Sequence, residues 1–474
     1  MSKNYGQAEM KKVLNTFDVI MVAFGAMIGW GWVVSSGQWI QQGGVGGTVI
    51  GFIIGGVMIY FVGLTYAELT SAMPNCGGEQ VFGYKAFGNI GAFVCAWAII
   101  LSYIGVVCYE AVSLPTIVQY LFPGFMKGYL YSVAGFDIYA SWLIIAVLFS
   151  AIIVWVNIQG TKSAALFQNV LTIMIAAVGI ILTAGAVLFG SPDNLQGQVI
   201  YGNDSMAVIS NIFRVAIMTP FFFFGFDVIP HAAEEINVPR KKLGKLMMLS
   251  IVLAVLFYVM VVISVGYVMS PFDIAASMET TGLVTADAMA KAFGSKAMAK
   301  VLIIGGMCGI ITSWNSFMIG GSRSLFSLAR SYMIPTSFAR LHPKHKTPVN
   351  ALLLIGILSV LAPFFGRAML VWIVDAGNFA CCLAYCMVSA SFLVIRKKYP
   401  QMVRPYKVKN HLFVGVVALG MSGSMAMMYI IPGTNCSLLW QEWIIVGGWI
   451  LLGMIFYASS KMKYKELFGT NIHE

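Results

Sequence analysis

The sequence predicts an all-α membrane protein with 12 transmembrane helices, built as a five-plus-five inverted repeat with broken helices 1 and 6. Three observations carry this. Of 474 residues, 59% are hydrophobic and only 10% charged, and the mean hydropathy is +0.84. Apolar runs close to the twenty residues that span a bilayer recur along the whole chain. The first and sixth of these runs are interrupted by residues that break helices, which hydrocarbon does not tolerate unless the freed polar groups are buried or face a ligand.

The runs fall at about 17–36, 46–71, 88–121, 138–157, 163–190, 207–233, 245–270, 297–330, 349–366, 368–395, 411–431 and 439–460. They make 1–474 one polytopic domain. Residues 17–190 form the first five-helix repeat, 207–395 the second, inverted one, and 411–460 two additional helices. The inversion follows from arithmetic: five is odd, so the second set of five enters the membrane with opposite orientation. A polar N-terminus runs into the first span without a small-residue cleavage site, so no removable signal is expected.

Most of the 29 Lys and Arg fall in the segments on the side of the termini. They include Lys3, Lys11 and Lys12, the run Arg240-Lys241-Lys242, the run Arg396-Lys397-Lys398, and Lys461, Lys463 and Lys465. The other side holds Lys127, Lys291, Lys296, Lys300 and Arg367. By the positive-inside rule both termini are cytoplasmic, in a multi-pass protein of the cytoplasmic (inner) membrane. The same asymmetry explains the net charge of +11 without nucleic acid as a partner. Eight cysteines show no metal spacing, and neither a disulfide, a metal nor any cofactor is expected. The longest segment on the far side, 271–296, reads as a polar cap ahead of a mixed helix near Ala286–Lys300.

In the first break, Phe24 to Gly31, the residues Ala26, Met27, Ile28, Gly29, Trp30 and Gly31 are candidate substrate contacts. Gly25, Gly29 and Gly31 permit non-helical dihedrals, and the freed N–H groups suit a carboxylate. In the second break, Pro220 ends one half-helix and Pro230 suits the first turn of the next. Between them Phe221, Phe222, Phe223, Phe224 and Gly225 offer carbonyls and aromatic faces to an ammonium group. Two kinked packing helices are the bland alternative, since glycines are common in membrane spans.

Five segments in order carry a family resemblance: Gly25 to Gly31; Tyr66-Ala67-Glu68-Leu69 with Met73 to Gly78; Gly225-Phe226-Asp227 with Ala233 to Pro239; Ser322 to Arg330; and Thr347 to Ala351. On these the chain resembles the amino acid–polyamine–organocation (APC) superfamily. The resemblance implies the five-plus-five fold, alternating access and a substrate held between spans one, three, six and eight. Two departures stand out. Trp30 occupies a position where relatives often carry a small residue beside the bound carboxylate. Ile175 is the best match to a lysine that some relatives place midway along span five.

Ionisable groups within spans are functional candidates by default. Asp227 reads as a carboxylate for a substrate amine or a coupling proton, or as a helix cap. Glu110 lies about 16 Å below the outer end of span three. Arg214 and Asp375 lie about 10 Å below outer helix ends, where Arg214 would pair with Asp375 or Glu110. His231 sits one turn after Asp227. Glu68 reads as a packing or gating residue, and Glu234 and Glu235 as partners of inner-loop lysines or of the helix N-terminus. Tyr103 and Trp314 join the aromatic candidates. Thr312, Ser313 and Ser316 offer hydroxyls that suit sodium or helix packing.

These readings predict a secondary active transporter for an amino acid or a small organic amine or polyamine. Its expected partners are that substrate, a coupling proton (sodium being the alternative) and membrane lipid. Exchange is the alternative to proton-coupled uptake. No nucleophile–base cluster points to an enzyme, a channel needs no paired breaks, and no nucleotide-binding loop points to ATP drive.

Overall fold

The computed structural model describes residues 10–133, 135–434 and 436–470, with backbone only at 367–370. Lys3 and the side chain of Arg367, both used in the charge count, lie outside the described residues. The chain begins with α1 (Thr16–Met27), capped by Asn15, whose side chain accepts from the N–H groups of Phe17 and Asp18 while Asp18 reaches back to Asn15 N. Then follow α2 (Gly31–Val34) and α3 (Ser36–Ala72). Helix α3 turns sharply at Gly44, where φ is +74° and a side chain would strike the Gln198 carbonyl at 2.8 Å. The first predicted span is therefore α1, α2 and the start of α3, and the second begins past Gly44.

Next come α4 (Glu79–Leu121), the strands β1 (Tyr129–Val133) and β2 (Phe136–Tyr139), α5 (Ala140–Ile158) and α6 (Thr161–Phe189). The antiparallel hairpin departs from the all-α expectation. Its alternating aromatic residues, flanked by Gly128 and Gly135 at positive φ, pair across a short turn between spans. The sixth run holds α7 (Ser205–Met218), a 3-10 turn at Thr219–Phe223 and α8 (Val228–His231), followed by α9 (Arg240–Val268).

The far-side connection holds two helices, α10 (Pro271–Thr280) and α11 (Val284–Phe293), before α12 (Lys296–Arg330). This corrects the single mixed helix expected near Ala286–Lys300: Gly294 in the left-handed region ends α11 and Ser295 caps α12. Helix α11 is also more than a polar cap, because Thr285 donates to the Trp32 carbonyl and meets Ser36 at 2.6 Å. The chain closes with α13 (Val349–Leu361), α14 (Gly366–Lys398), α15 (His411–Ile430) and α16 (Trp440–Tyr464).

Among the described residues, ten helices are long and apolar enough to cross a membrane. Two further apolar helices, Thr16–Met27 and Val349–Phe365, are shorter. Burial separates centre from rim: the apolar stretch of α4 is 83% buried, that of α16 only 17%. Leu14 pairs with Ile236, Gly469 N donates to the Ser331 carbonyl, and Arg330 joins Glu234. Both termini thus meet at one end of the bundle, called the terminal face below.

Candidate functional site

Helix α1 ends at Met27, and Ile28 leaves helical geometry (φ −106°, ψ 79°). The last carbonyls of α1 are taken up by side chains from three other helices. Met21 O faces Gln168 and Thr172 of α6, Val22 O accepts from Ser316 and Gly25 O from Thr312 of α12, and Met27 O accepts from Tyr258 of α9. Among the described residues, the backbone N–H groups of Gly29, Trp30 and Gly31 have no backbone hydrogen-bond acceptor. The break thus presents donors and few acceptors.

The glycines act differently from the expectation. None of Gly25, Gly29 and Gly31 has positive φ. They permit close approach instead: a side chain at Gly25 would meet Gln168 at 2.4 Å and Thr172 at 2.6 Å, and one at Gly31 the Phe222 ring at 2.4 Å. Trp30 fits because its ring lies over Gly306 of α12, where even a methyl group would be 2.2 Å from it. On α6, Gln168, Asn169 and Thr172 reach α1 with hydrogen bonds, whereas Ile175 is simply buried.

The unusual backbone lies in the second break. Gly225 has φ +127°, and a side chain there would meet Ala26 Cβ at 2.6 Å, so the two breaks touch. Asp227 accepts from Gly225 N at 2.9 Å and from the Tyr103 hydroxyl at 2.8 Å, and makes no side-chain cap to α8. It holds the bend in shape.

Between the breaks lies a cavity of about 170 Å³. Of the predicted contacts, Ala26, Met27, Gly29, Trp30, Gly31, Phe221, Phe222 and Phe224 line it. Ile28, Phe223, Gly225, Tyr103 and Trp314 do not. Tyr103 is spent on Asp227, and Trp314 is enclosed within the bundle. Glu110 is on the wall, 3.5 Å from where a Gly29 side chain would start. Its carboxyl lies beside the Ser313 hydroxyl, and Oε2 has no hydrogen-bond partner among the described residues. The sequence reading missed Ser35 and Tyr258, which resemble any other polar or aromatic residue of a span.

Six residues of this wall, among them Tyr109, Phe221, Phe222 and Val374, also bound a wider cavity of about 320 Å³ towards the face opposite the termini. Asp375 and Asn378 line that wider space. The expected pairing of Arg214 is not formed. Arg214 is exposed on α7 and forms no ion pair among the described residues, and Asp375 faces the Glu442 carboxyl. A still larger apolar groove of about 460 Å³, between α4, α14 and α16, lies away from both breaks.

On the terminal side the cavity is closed by buried charge. Arg323 binds Glu235 through Nε at 2.9 Å and also meets Thr161, which reaches the same carboxylate. Arg330 binds Glu234 at 2.7 Å. These arginines of α12, rather than loop lysines, partner the two glutamates. Glu68 binds Arg396 at 2.6 Å and Arg404 at 3.1 Å, which ties α3 to the end of α14 and keeps Glu68 off the cavity. His231 meets Glu79 at 2.7 Å.

The profile of the family described as "Amino acid permease" matches residues 14–456. The chain is 26% identical to the branched-chain amino acid permease BcaP of Bacillus subtilis (strain 168), over 98% of this chain and 96% of that protein. It is 26% identical to the methylthioribose transporter of the same organism, over 97% and 95%. It is 24% identical to the histidine permease HisP of Lactococcus lactis subsp. cremoris (strain MG1363), over 97% and 96%.

Proposed function

The chain belongs to the amino acid permease family of multi-pass membrane transporters, and from that premise we propose that it imports an α-amino acid by proton-coupled alternating access. In this reading α1 with α2, and α13, complete twelve spans in a five-plus-five inverted repeat, with both termini on the cytoplasmic side of the cytoplasmic membrane. The basic residues of the terminal-side segments support that orientation.

The carrying observation is the pairing of opposite polarities on one small cavity wall. Unpartnered N–H groups of Gly29, Trp30 and Gly31 receive the substrate carboxylate. The adjacent Glu110 receives the ammonium group, with carbonyls of the second break at hand. Aromatic and aliphatic groups, chiefly Phe221, Phe222, Phe224 and Phe317, take the side chain. Glu110 is the one acid on this wall. That suits a single ammonium and therefore a compact apolar amino acid. Asp227, the other candidate for a substrate amine, is engaged by Tyr103 and Gly225 instead. Two of the relatives above are named for different amino acids, branched-chain and histidine, which is consistent with a shared backbone site and a variable side-chain wall.

A charge-assisted hydrogen bond contributes about 1.5–3 kcal/mol, so Glu110→Gln should lower apparent affinity by about tenfold or more. Uptake of a labelled amino acid panel into proteoliposomes, under imposed proton or sodium gradients, measures this. Unchanged affinity in the variant would remove Glu110 from the site. Accumulation driven by sodium alone would replace the coupling ion.

A further inference from the structure

Just beyond the cavity, towards the terminal face, lies a group of titratable side chains that substrate binding does not use. Glu79 opens α4, His231 ends α8, and Asp227 immediately precedes α8. Tyr103 links them: its hydroxyl donates to Asp227 at 2.8 Å and its ring stands edge-on to His231, with centroids 5.3 Å apart. Glu79 and His231 meet at 2.7 Å. That contact is short but off the hydrogen-bond axis, and the remaining Glu79 and His231 polar atoms have no other partner among the described residues. All four residues are fully buried.

Charge bookkeeping makes this group unusual. Among the described residues, His231 is the one basic group within ion-pair distance of either carboxyl. The other titratable groups facing it are Tyr66 on α3, Cys95 on α4, and Cys381 and Tyr385 on α14. Phenols and thiols supply no positive charge. With both carboxylates ionised and His231 protonated, one negative charge is left uncompensated in an enclosure with no solvent-exposed side chain among the four. Burying such a charge costs several kcal/mol. The Gly225 N–H and the Tyr103 hydroxyl offset part of it at Asp227. One more proton, on an oxygen of Glu79 or Asp227, removes it entirely.

The group also spans a joint. His231 and Asp227 belong to the second half of the broken sixth run, whereas Glu79 belongs to α4. A movement of α8 away from the start of α4 would part the short contact. We propose that Glu79, His231 and Asp227 together carry the transported proton, loading one proton from water on the opposite side and releasing it to water at the terminal face. Only an O–H or N–H bond forms and breaks at each transfer. This rests on the permease reading and adds where its coupling proton resides; Glu110 then binds substrate only.

The test uses the full chain in proteoliposomes with the amino acid that the wild type takes up best. Counterflow, with substrate on both sides, needs no net proton movement; accumulation driven by an imposed pH gradient does. Glu79→Gln and His231→Gln should keep counterflow within about twofold and lose at least tenfold in pH-driven accumulation. Tyr103→Phe removes one hydrogen bond to ionised Asp227 with little change in shape, and should move the pH midpoint of accumulation upward while counterflow persists. Should both charge variants fail to fold, Tyr103→Phe decides. An unmoved midpoint there, or wild-type accumulation by either charge variant, overturns the proposal. A wild type without counterflow for any amino acid would overturn the permease reading instead.

Discussion

The two sides of the cavity are closed by different physics. Towards the opposite face the boundary is aromatic: Phe221, Phe222, Phe224 and Tyr109 stand between the inner and outer cavities, and among the described residues no ion pair crosses there. Towards the terminal face the boundary is ionic: Arg323–Glu235 is fully buried, Arg330–Glu234 is partly buried, and His231 lies against Glu79. An aromatic wall yields by rotating side chains over a shallow energy surface. A buried ion pair yields only if both charges find water or new partners, so it behaves as a latch. Opening the terminal side therefore requires ion pairs to be broken, which opening the aromatic side does not.

The largest test of this contrast is Arg323→Ala. Arg323 is fully buried, and its loss leaves Glu235 uncompensated, at a cost of about 3–5 kcal/mol. Uptake should be lost, the melting temperature should fall, and Cys76, buried against the Arg323 carbonyl, should become reactive towards a thiol reagent. Unaltered melting with Cys76 still shielded would mean that the pair is no latch.

A smaller effect is expected from Phe222→Ala on the aromatic side. Phe222 packs against Trp39 at 4.8 Å and Tyr258 at 5.8 Å but remains half-buried. Truncation should admit bulkier amino acids and alter relative affinities by about tenfold, with folding largely retained. A substrate profile identical to wild type would break the claim that this wall selects.

The smallest effect belongs to the far-side connection. Partial burial would raise the Asp273 carboxyl, but bonds from Lys291 and Ser270 outweigh it and hold the group below the usual aspartate range. A lowered folded value means that the contribution is present at neutral pH and fades as pH falls through that value. Asp273→Asn should cost at most about 1 kcal/mol near neutrality and nothing at strongly acid pH. A pH-independent loss of stability would assign Asp273 to packing.

Much of the site was legible from residues whose chemistry conflicts with hydrocarbon. Gly29 to Gly31 and Phe221 to Phe224 stand out because a bilayer span has little use for breaks, and they do line the cavity. Glu110 stood out for the same reason. Other features were not readable, because they depend on which distant helix a side chain meets. Trp30 looked like an obstruction until Gly306, far along the chain, proved to receive its ring. Asp227 looked like a ligand group, yet Tyr103 and Gly225 turn it away from the cavity. Depth along a helix suggested Arg214 with Asp375, but depth carries no azimuth, and Arg214 points outward. The hairpin at 129–139 was hidden by its brevity between two long apolar runs.

Helix α16 is the least enclosed of the long helices, yet it is tied to α4 by a mutual exchange. The Trp97 indole donates to the Trp449 carbonyl at 2.9 Å, Trp449 donates to the Trp97 carbonyl at 2.8 Å, and the rings stack at 4.3 Å. Trp97 is made early in synthesis and Trp449 near its end. Until the last helix arrives, the α4 indole has its N–H directed into lipid or a transient partner. Completion of the third membrane crossing thus waits on the final one, and a ribosome that stops short of residue 449 leaves the centre of the bundle, as well as its rim, unfinished.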